Sequence, residues 1–203
     1  MIPRRKFEQT LVILKPDTVQ RALIGEIVRR LERTGLKLVA TKMLRAGEEQ
    51  LLKHYGKDDA WYSAKGEKRK KFLIEAGVSV DSARPVIEYG KDIIKNIVLF
   101  MRSSPVIAMV WEGNQAVAVV KKLVGGTDPT TSDVGTIRGD LQIDSYLFSD
   151  TEQRGLRNLV HCSDQVSEAQ REIALWFSSE ELHDYRHISE AILTDINLDG
   201  STE

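Results

Sequence analysis

The stretch of this chain with the most chemical content is Asn158-Leu159-Val160-His161-Cys162-Ser163-Asp164. Its histidine closes a short apolar run and stands just before a helix start at Ser163 and Asp164. An imidazole held at a strand end, beside backbone N–H groups and the positive end of a helix dipole, suits a nucleophile that meets an anion. A lone histidine also reads as a hydrogen-bonded core residue. Other polar positions sit where core packing does not require them. Lys15 follows an apolar run, Tyr55 ends a helical pattern, and Lys121 lies on the helix before Gly125-Gly126. Thr127 follows that glycine pair, Arg138 lies in Gly135-Thr136-Ile137-Arg138-Gly139-Asp140, and Asn158 stands one short strand before His161. Each alone is an ordinary polar residue. Cations, a hydroxyl and an amide converging on one histidine would make a phosphate-binding pocket.

Bringing them together is the work of the elements between. Thr10 to Leu14 (TLVIL) reads as a buried strand, ended by a turn at Lys15-Pro16-Asp17. Ile24, Ile27, Val28 and Leu31 recur at helical spacing, with Gly35 as the stop. Leu36 to Leu44 reads as a second strand and Glu48 to Tyr55 as a short helix. Lys57 to Lys71 is charged and poor in aliphatics, Gly77 to Pro85 is loop-like, and Ile93 to Phe100 resumes a helix. Pro105 to Trp111 is the third strand and Asn114 to Leu123 the helix after it. A turn-rich segment runs from Gly125 to about Arg157, then Leu159 to His161 forms the fourth strand and Val166 to Phe177 an amphipathic helix. The order is βαββαβ, an α+β, ferredoxin-like antiparallel sheet covered by helices. The tail after Tyr185, acidic near its end, reads as loosely held.

Composition narrows the function classes. The 203 residues suit one domain with insertions, and 41% hydrophobic content suffices for a packed core. A formal net charge of -1 gives no global attraction to nucleic acid or anionic membrane, so any phosphate site must be a local cluster of bases. No apolar run has membrane-spanning length, and residues 1–6 lack the apolar core of a signal peptide. Cys162 is the single cysteine, so neither an intrachain disulfide nor a cysteine metal motif arises. A cytoplasmic protein is the expectation.

At these residues the chain resembles the nucleoside diphosphate kinases. The resemblance rests on Lys15-Pro16-Asp17, Val106 to Gly113 (VIAMVWEG), Gly135 to Asp140 (GTIRGD) and Asn158-x-x-His161-x-Ser163-Asp164, and covers about residues 9–55, 91–140 and 157–185. It implies that His161 takes the γ-phosphate of a nucleoside triphosphate and passes it to a nucleoside diphosphate, by ping-pong kinetics through a phosphohistidine. Lys15, Tyr55, Thr127, Arg138 and Asn158 would hold phosphates and ribose, with Lys15 and Arg138 meeting charge on the transferring oxygens. Glu172 would support the histidine ring. Mg²⁺ would arrive on the nucleotide phosphates, without a metal site of the protein's own. A homo-oligomer, hexamer or tetramer, and tolerance of different bases are also implied.

The chain departs from that pattern in places. Lys121 stands where the family has an arginine, keeping the charge and losing the bidentate fork. Ile93 aligns with the aromatic that clamps the base, with Ile97 as its aliphatic partner and Tyr89 a nearby substitute. Two segments, about 56–90 and 144–156, read as insertions, the first bringing helices beside the cleft. The first carries a basic run, Lys65 to Lys71, after Trp61-Tyr62. A solvated helix face is the expectation there, and nucleic-acid binding the rival, set against a sheet without an aromatic strand pattern. A second rival keeps the nucleotide pocket but transfers slowly. Cys162 beside the histidine reads as a quiet neighbour, and His183 with His187 as a helix-face pair lacking the remaining ligands of a metal site.

Overall fold

The computed structural model describes residues 7–195. Strands β1 (Glu8–Leu14), β2 (Lys37–Leu44), β3 (Val106–Gly113) and β4 (Val160–Cys162) form one sheet in the order β2-β3-β1-β4, each neighbouring pair antiparallel. Helices α1 (Pro16–Gln20) and α2 (Ile24–Glu32) join β1 to β2. Helices α3 (Glu48–Tyr55), α4 (Asp59–Glu75) and α5 (Val86–Arg102) join β2 to β3. Between β3 and β4 run α6 (Ala116–Val124), α7 (Ile137–Leu141) and α8 (Tyr146–Thr151), and α9 (Val166–Trp176) and α10 (Ile188–Thr194) follow β4. This is the ferredoxin-like α+β arrangement.

The unbroken apolar run of β1 follows from burial on both faces. Leu11 and Ile13 point into a core layer with Ile94, Val98 and Met101 of α5 and Ile173 and Trp176 of α9. Val12 and Leu14 point into the opposite layer, with Ile27 and Leu31 of α2 and Val120 and Val124 of α6. Register then brings distant residues together. Ile13 pairs with His161 and Leu14 with Val160, so Lys15 emerges beside the residues just before β4. Among the described residues no helix is long and apolar enough to cross a membrane.

Four expectations need correction. The Lys15-Pro16-Asp17 turn opens directly into α1, with proline at its start, where a missing N–H costs nothing. The turn-rich stretch after Gly125 holds α7 and α8, which are short, capped by Thr136 and Ser145, and carry little hydrophobic periodicity. The stretch after Tyr185 is anchored in part, the Tyr185 hydroxyl donating to the Leu38 carbonyl at 2.9 Å and Lys37 meeting Glu190 at 3.2 Å, while Ile188, Ile192 and Leu193 of α10 stand exposed. The acidic end of that tail lies outside the described residues. His183 and His187 precede α10 in extended chain, so they share no helix face.

Helix α4 explains the charged stretch. Its Lys65, Lys68 and Lys71 are exposed, but Arg69 in the same run is buried and meets Asp150 of α8 at 3.0 Å. Helices α4 and α5 touch backbone to backbone at two glycines. A Cβ on Gly66 would lie 2.0 Å from the Val86 carbonyl oxygen, and one on Gly90 2.0 Å from that of Tyr62. Gly90→Ala is expected to push the hairpin apart and destabilise the fold by about 1–3 kcal/mol. A denaturant midpoint unchanged by this substitution would contradict that packing.

Candidate active site

The chain reverses sharply before β4. Leu159, wholly buried, has φ +66°, and the Val160 N–H donates to the Asn158 carbonyl at 2.7 Å, which makes Leu159 the centre of a γ-turn. A branched side chain in that region is strained. Three contacts hold it: Leu159 N–H donates to Asp17 Oδ2 at 3.0 Å, and its carbonyl accepts from Lys15 N–H at 2.8 Å and the Thr18 hydroxyl at 2.6 Å. Leu159 is thus a turn residue, not the first residue of the strand, and the turn aims His161 into the cleft. A positive φ at a leucine has no sequence signature.

The His161 ring is partly buried, with Nε2 3.1 Å from Glu172 Oε2. Glu172 is 1% exposed and also accepts the Ser163 hydroxyl at 2.6 Å. Burial alone would raise its pKa, yet the contacts with His161, His54 and Ser163 outweigh that and hold it below the usual value. A carboxylate only accepts, so Nε2 carries the ring proton and Nδ1 keeps its lone pair. His54 of α3, which the sequence reading missed, lies edge-on to His161 at 4.4 Å between ring centroids. Trp176 Nε1 donates to His54 Nδ1 at 3.1 Å. An indole N–H has no acceptor form, so His54 bears its proton on Nε2, which faces Glu172 Oε1 at 3.6 Å. Burial, then the neighbouring His161, push the His54 pKa down to about 2, so the ring is neutral. His54, His161 and Glu172 have the spacing to surround a metal ion, their ligand atoms lying within 4.8 Å of one another. The tautomers oppose it, because both Nε2 atoms already carry protons. The polar line Trp176–His54–Glu172–His161 instead fixes which nitrogen faces out.

Groups suited to an anion stand on the segments next to His161. Lys15 Nζ is buried and donates to Asn158 Oδ1 at 2.6 Å, while Asn158 Nδ2 donates to the Thr127 carbonyl at 2.8 Å. Burial, followed by the nearby Arg138, lowers the Lys15 pKa to about 8. The Tyr55 ring lies 5.6 Å from that of His161, and its hydroxyl is buried without a partner among the described residues. An unmatched buried hydroxyl beside a nucleophile is a donor waiting for a ligand. Burial pushes its pKa up, so it stays protonated.

Arg138 belongs to the cluster, but as a clamp on the chain. Its guanidinium donates to the carbonyls of Asn158 at 3.1 Å, Gly125 and Gly126 at 3.0 Å each, and Val160 at 2.5 Å. Lys121 stands apart on the surface, paired with Asp164 at 2.9 Å, both side chains more than half exposed. Ile93 is half buried on α5, and Ile97 packs into the core. Burial raises the half-buried Cys162 thiol to about 11, which leaves it unreactive near neutrality.

Fold and site together define an α+β protein with a partly buried histidine held by a buried glutamate, beside a buried lysine and a tyrosine hydroxyl unpartnered among the described residues. A family model for nucleoside diphosphate kinase matches residues 8–69 and 86–182, and the chain belongs to that family. It is 45% identical over 179 residues to a nucleoside diphosphate kinase of Pyrobaculum aerophilum, across 86% of this chain and 97% of the relative. With human nucleoside diphosphate kinase B it shares 40% over 180 residues, 88% of this chain and 91% of the relative. A crystal structure of the Pyrobaculum aerophilum NDP kinase superposes with TM-score 0.82 at 43% identity, covering 88% of this chain and all (100%) of the other. A transition-state mimic of the Borrelia burgdorferi enzyme with vanadate and ADP superposes at 0.74, with 33% identity, 92% of this chain and 96% of that one.

Proposed function

We propose that this chain works as a nucleoside diphosphate kinase with His161 Nδ1 as the nucleophile. The observation that carries the assignment is the 3.1 Å contact of Nε2 with Glu172 Oε2: a carboxylate only accepts, so the proton belongs on Nε2 and Nδ1 is left as the attacking lone pair. Nδ1 bonds to the γ-phosphorus of a nucleoside triphosphate, and the bond from that phosphorus to the bridging oxygen breaks, releasing the diphosphate. A second diphosphate then attacks the phosphohistidine with a terminal phosphate oxygen and restores Nδ1. Glu172 stabilises the positive ring that exists between the two halves. The Lys15 ammonium and the Tyr55 hydroxyl donate to the transferring oxygens, and Thr127 and Asn158 lie along the remaining phosphates and ribose. Arg138 shapes the pocket by fixing both chain segments that line it. Lys121 reaches phosphate only by leaving Asp164, and Ile93 offers the base a side chain without stacking. The Borrelia burgdorferi relative, a transition-state mimic with vanadate and ADP bound, supports phosphoryl transfer on a nucleotide as the reading.

Mg²⁺ fits as part of the nucleotide. Glu172 is engaged by His161 and Ser163, and Asp17 Oδ2 by the Leu159 N–H. Among the described residues Asp17 Oδ1 is left as one unpartnered carboxylate oxygen, too few ligands for an ion held by the protein alone, while the unpartnered Tyr55 hydroxyl suits a phosphate oxygen. When bound, the ion neutralises phosphate charge. We read the chain as one domain and as cytoplasmic; of the segments 56–90 and 144–156, residues 70–85 are the part outside the family match. A hexamer or tetramer is the assembly proposed. Val134 and Ile143, 93% and 91% exposed, are available for it. So is a cavity of about 940 Å³ between α1, α5 and the segment 139–157.

The test is incubation with γ-labelled ATP and Mg²⁺. Label that is stable to base, labile to acid and chased onto added diphosphates is expected, and a protein that binds nucleotide without labelling would refute transfer.

The Lys15 value adds a pH prediction. The site without nucleotide loses its ammonium as pH passes about 8. Nucleotide affinity should therefore fall above that pH, giving kcat/KM an alkaline limb near it, and Lys15→Arg should move the limb upward. The stability effect runs the other way. Because the folded value of about 8 lies below the ordinary 10.5, the unfolded chain holds the extra proton between them. This group's contribution then rises with pH through that window and is flat below it. A kcat/KM profile level from pH 7 to about 10 would contradict the assignment.

A further inference from the structure

Tyr146 opens α8, within the segment that the sequence reading took for an insertion. The helix is braced at three points. At its root Arg154 grips Asp144 at 2.7 and 2.8 Å, and Asp144 accepts the Arg157 N–H at 2.8 Å. Near its far end Asp150 meets the buried Arg69 of α4 at 3.0 Å. At its start the Tyr146 N–H donates to Asp128 Oδ2 at 3.0 Å, and Asp128 directly follows Thr127. The side chain set by this frame is about half exposed, with its phenol against the Thr127 hydroxyl and with Asp128 and Arg138 nearby. Burial pushes the phenol pKa up, so it remains a donor at neutral pH.

We propose that Tyr146 is a nucleotide ligand, its hydroxyl donating together with that of Thr127 to a phosphate oxygen of the bound nucleoside di- or triphosphate. The inference rests on the phosphotransfer reading of the His161 site. The chemistry favours it. A neutral donor adds grip without another buried cation beside Arg138 and Lys15, and it offsets Lys121, whose ammonium is held at the surface by Asp164. A donor directed at phosphate takes no account of the base, so every nucleotide gains equally.

The test compares Tyr146→Phe and Tyr146→Ala in the full chain, using ADP, GDP and CDP as acceptors and inorganic tripolyphosphate as a competitor without a base. Tyr146→Phe is expected to raise KM for all three acceptors about tenfold, and the tripolyphosphate inhibition constant by the same factor. Tyr146→Ala should add little. Wild-type constants in Tyr146→Phe would overturn the proposal. So would a KM rise that leaves tripolyphosphate unaffected, or a loss confined to Tyr146→Ala that varies with the base, which would make the ring a stacking surface. If wild-type protein transfers no phosphate, the kinase reading fails by itself. Calorimetric tripolyphosphate binding to wild type and Tyr146→Phe then still decides the role of the hydroxyl.

Discussion

His161→Ala is expected to reduce phosphoryl transfer by at least about 10⁴-fold and to remove the acid-labile label from the protein. No other described group in the cleft can replace it. His54 is neutral, with one nitrogen accepting from Trp176 and the other protonated toward Glu172. Cys162 is kept as a thiol by burial. The loss should be chemical. The ring is partly exposed, and without it Glu172 still accepts from Ser163 and lies 3.6 Å from Arg171. Nucleotide binding by calorimetry and the melting temperature should therefore remain close to wild type. Label persisting on the variant, with the same acid lability, would place the nucleophile elsewhere.

Arg138→Lys is expected to cost stability and activity together. The guanidinium spans carbonyls from two chain segments, Gly125 and Gly126 on one side and Asn158 and Val160 on the other. A single ammonium cannot meet both pairs, so buried carbonyls lose their donors. The expected loss is about 3–5 kcal/mol of unfolding free energy, read from denaturant midpoints. Transfer should fall with it, because the same bonds hold the γ-turn that aims His161. Were Arg138 simply a phosphate ligand, lysine would preserve stability and lower only nucleotide affinity. That outcome would refute the clamp.

The γ-turn and the clamp mark where sequence reading stopped. The βαββαβ order was legible because β1 and β3 are unbroken apolar runs and α2, α6 and α9 repeat at helical spacing, signals that local burial imposes on the chain. Lys15, Asn158 and His161 were legible through their motifs, which the sheet register brings together, while Glu172 was legible only through the family resemblance, since its place on α9 reads by itself as an exposed helix charge. Arg69 was not. It looks like one more cation in Lys65 to Lys71, and its burial depends on Asp150, which follows in another segment. His54 was passed over because nothing in Glu48 to Tyr55 reveals that Trp176, 122 residues later, donates to it.

The sequence by itself determined the four strands, the longer apolar helices with their buried faces, and which residue types could handle a phosphate, since periodicity and side-chain chemistry are local properties. The tertiary structure alone decided the protonated nitrogen of His161, the turning of Arg138 toward carbonyls, the pairing of Lys121 with Asp164 and the placing of Tyr146 beside Thr127. The physical reason is common to all four. A hydrogen-bonding group takes its role from the partner it meets, and here each partner comes from a segment that only folding brings alongside.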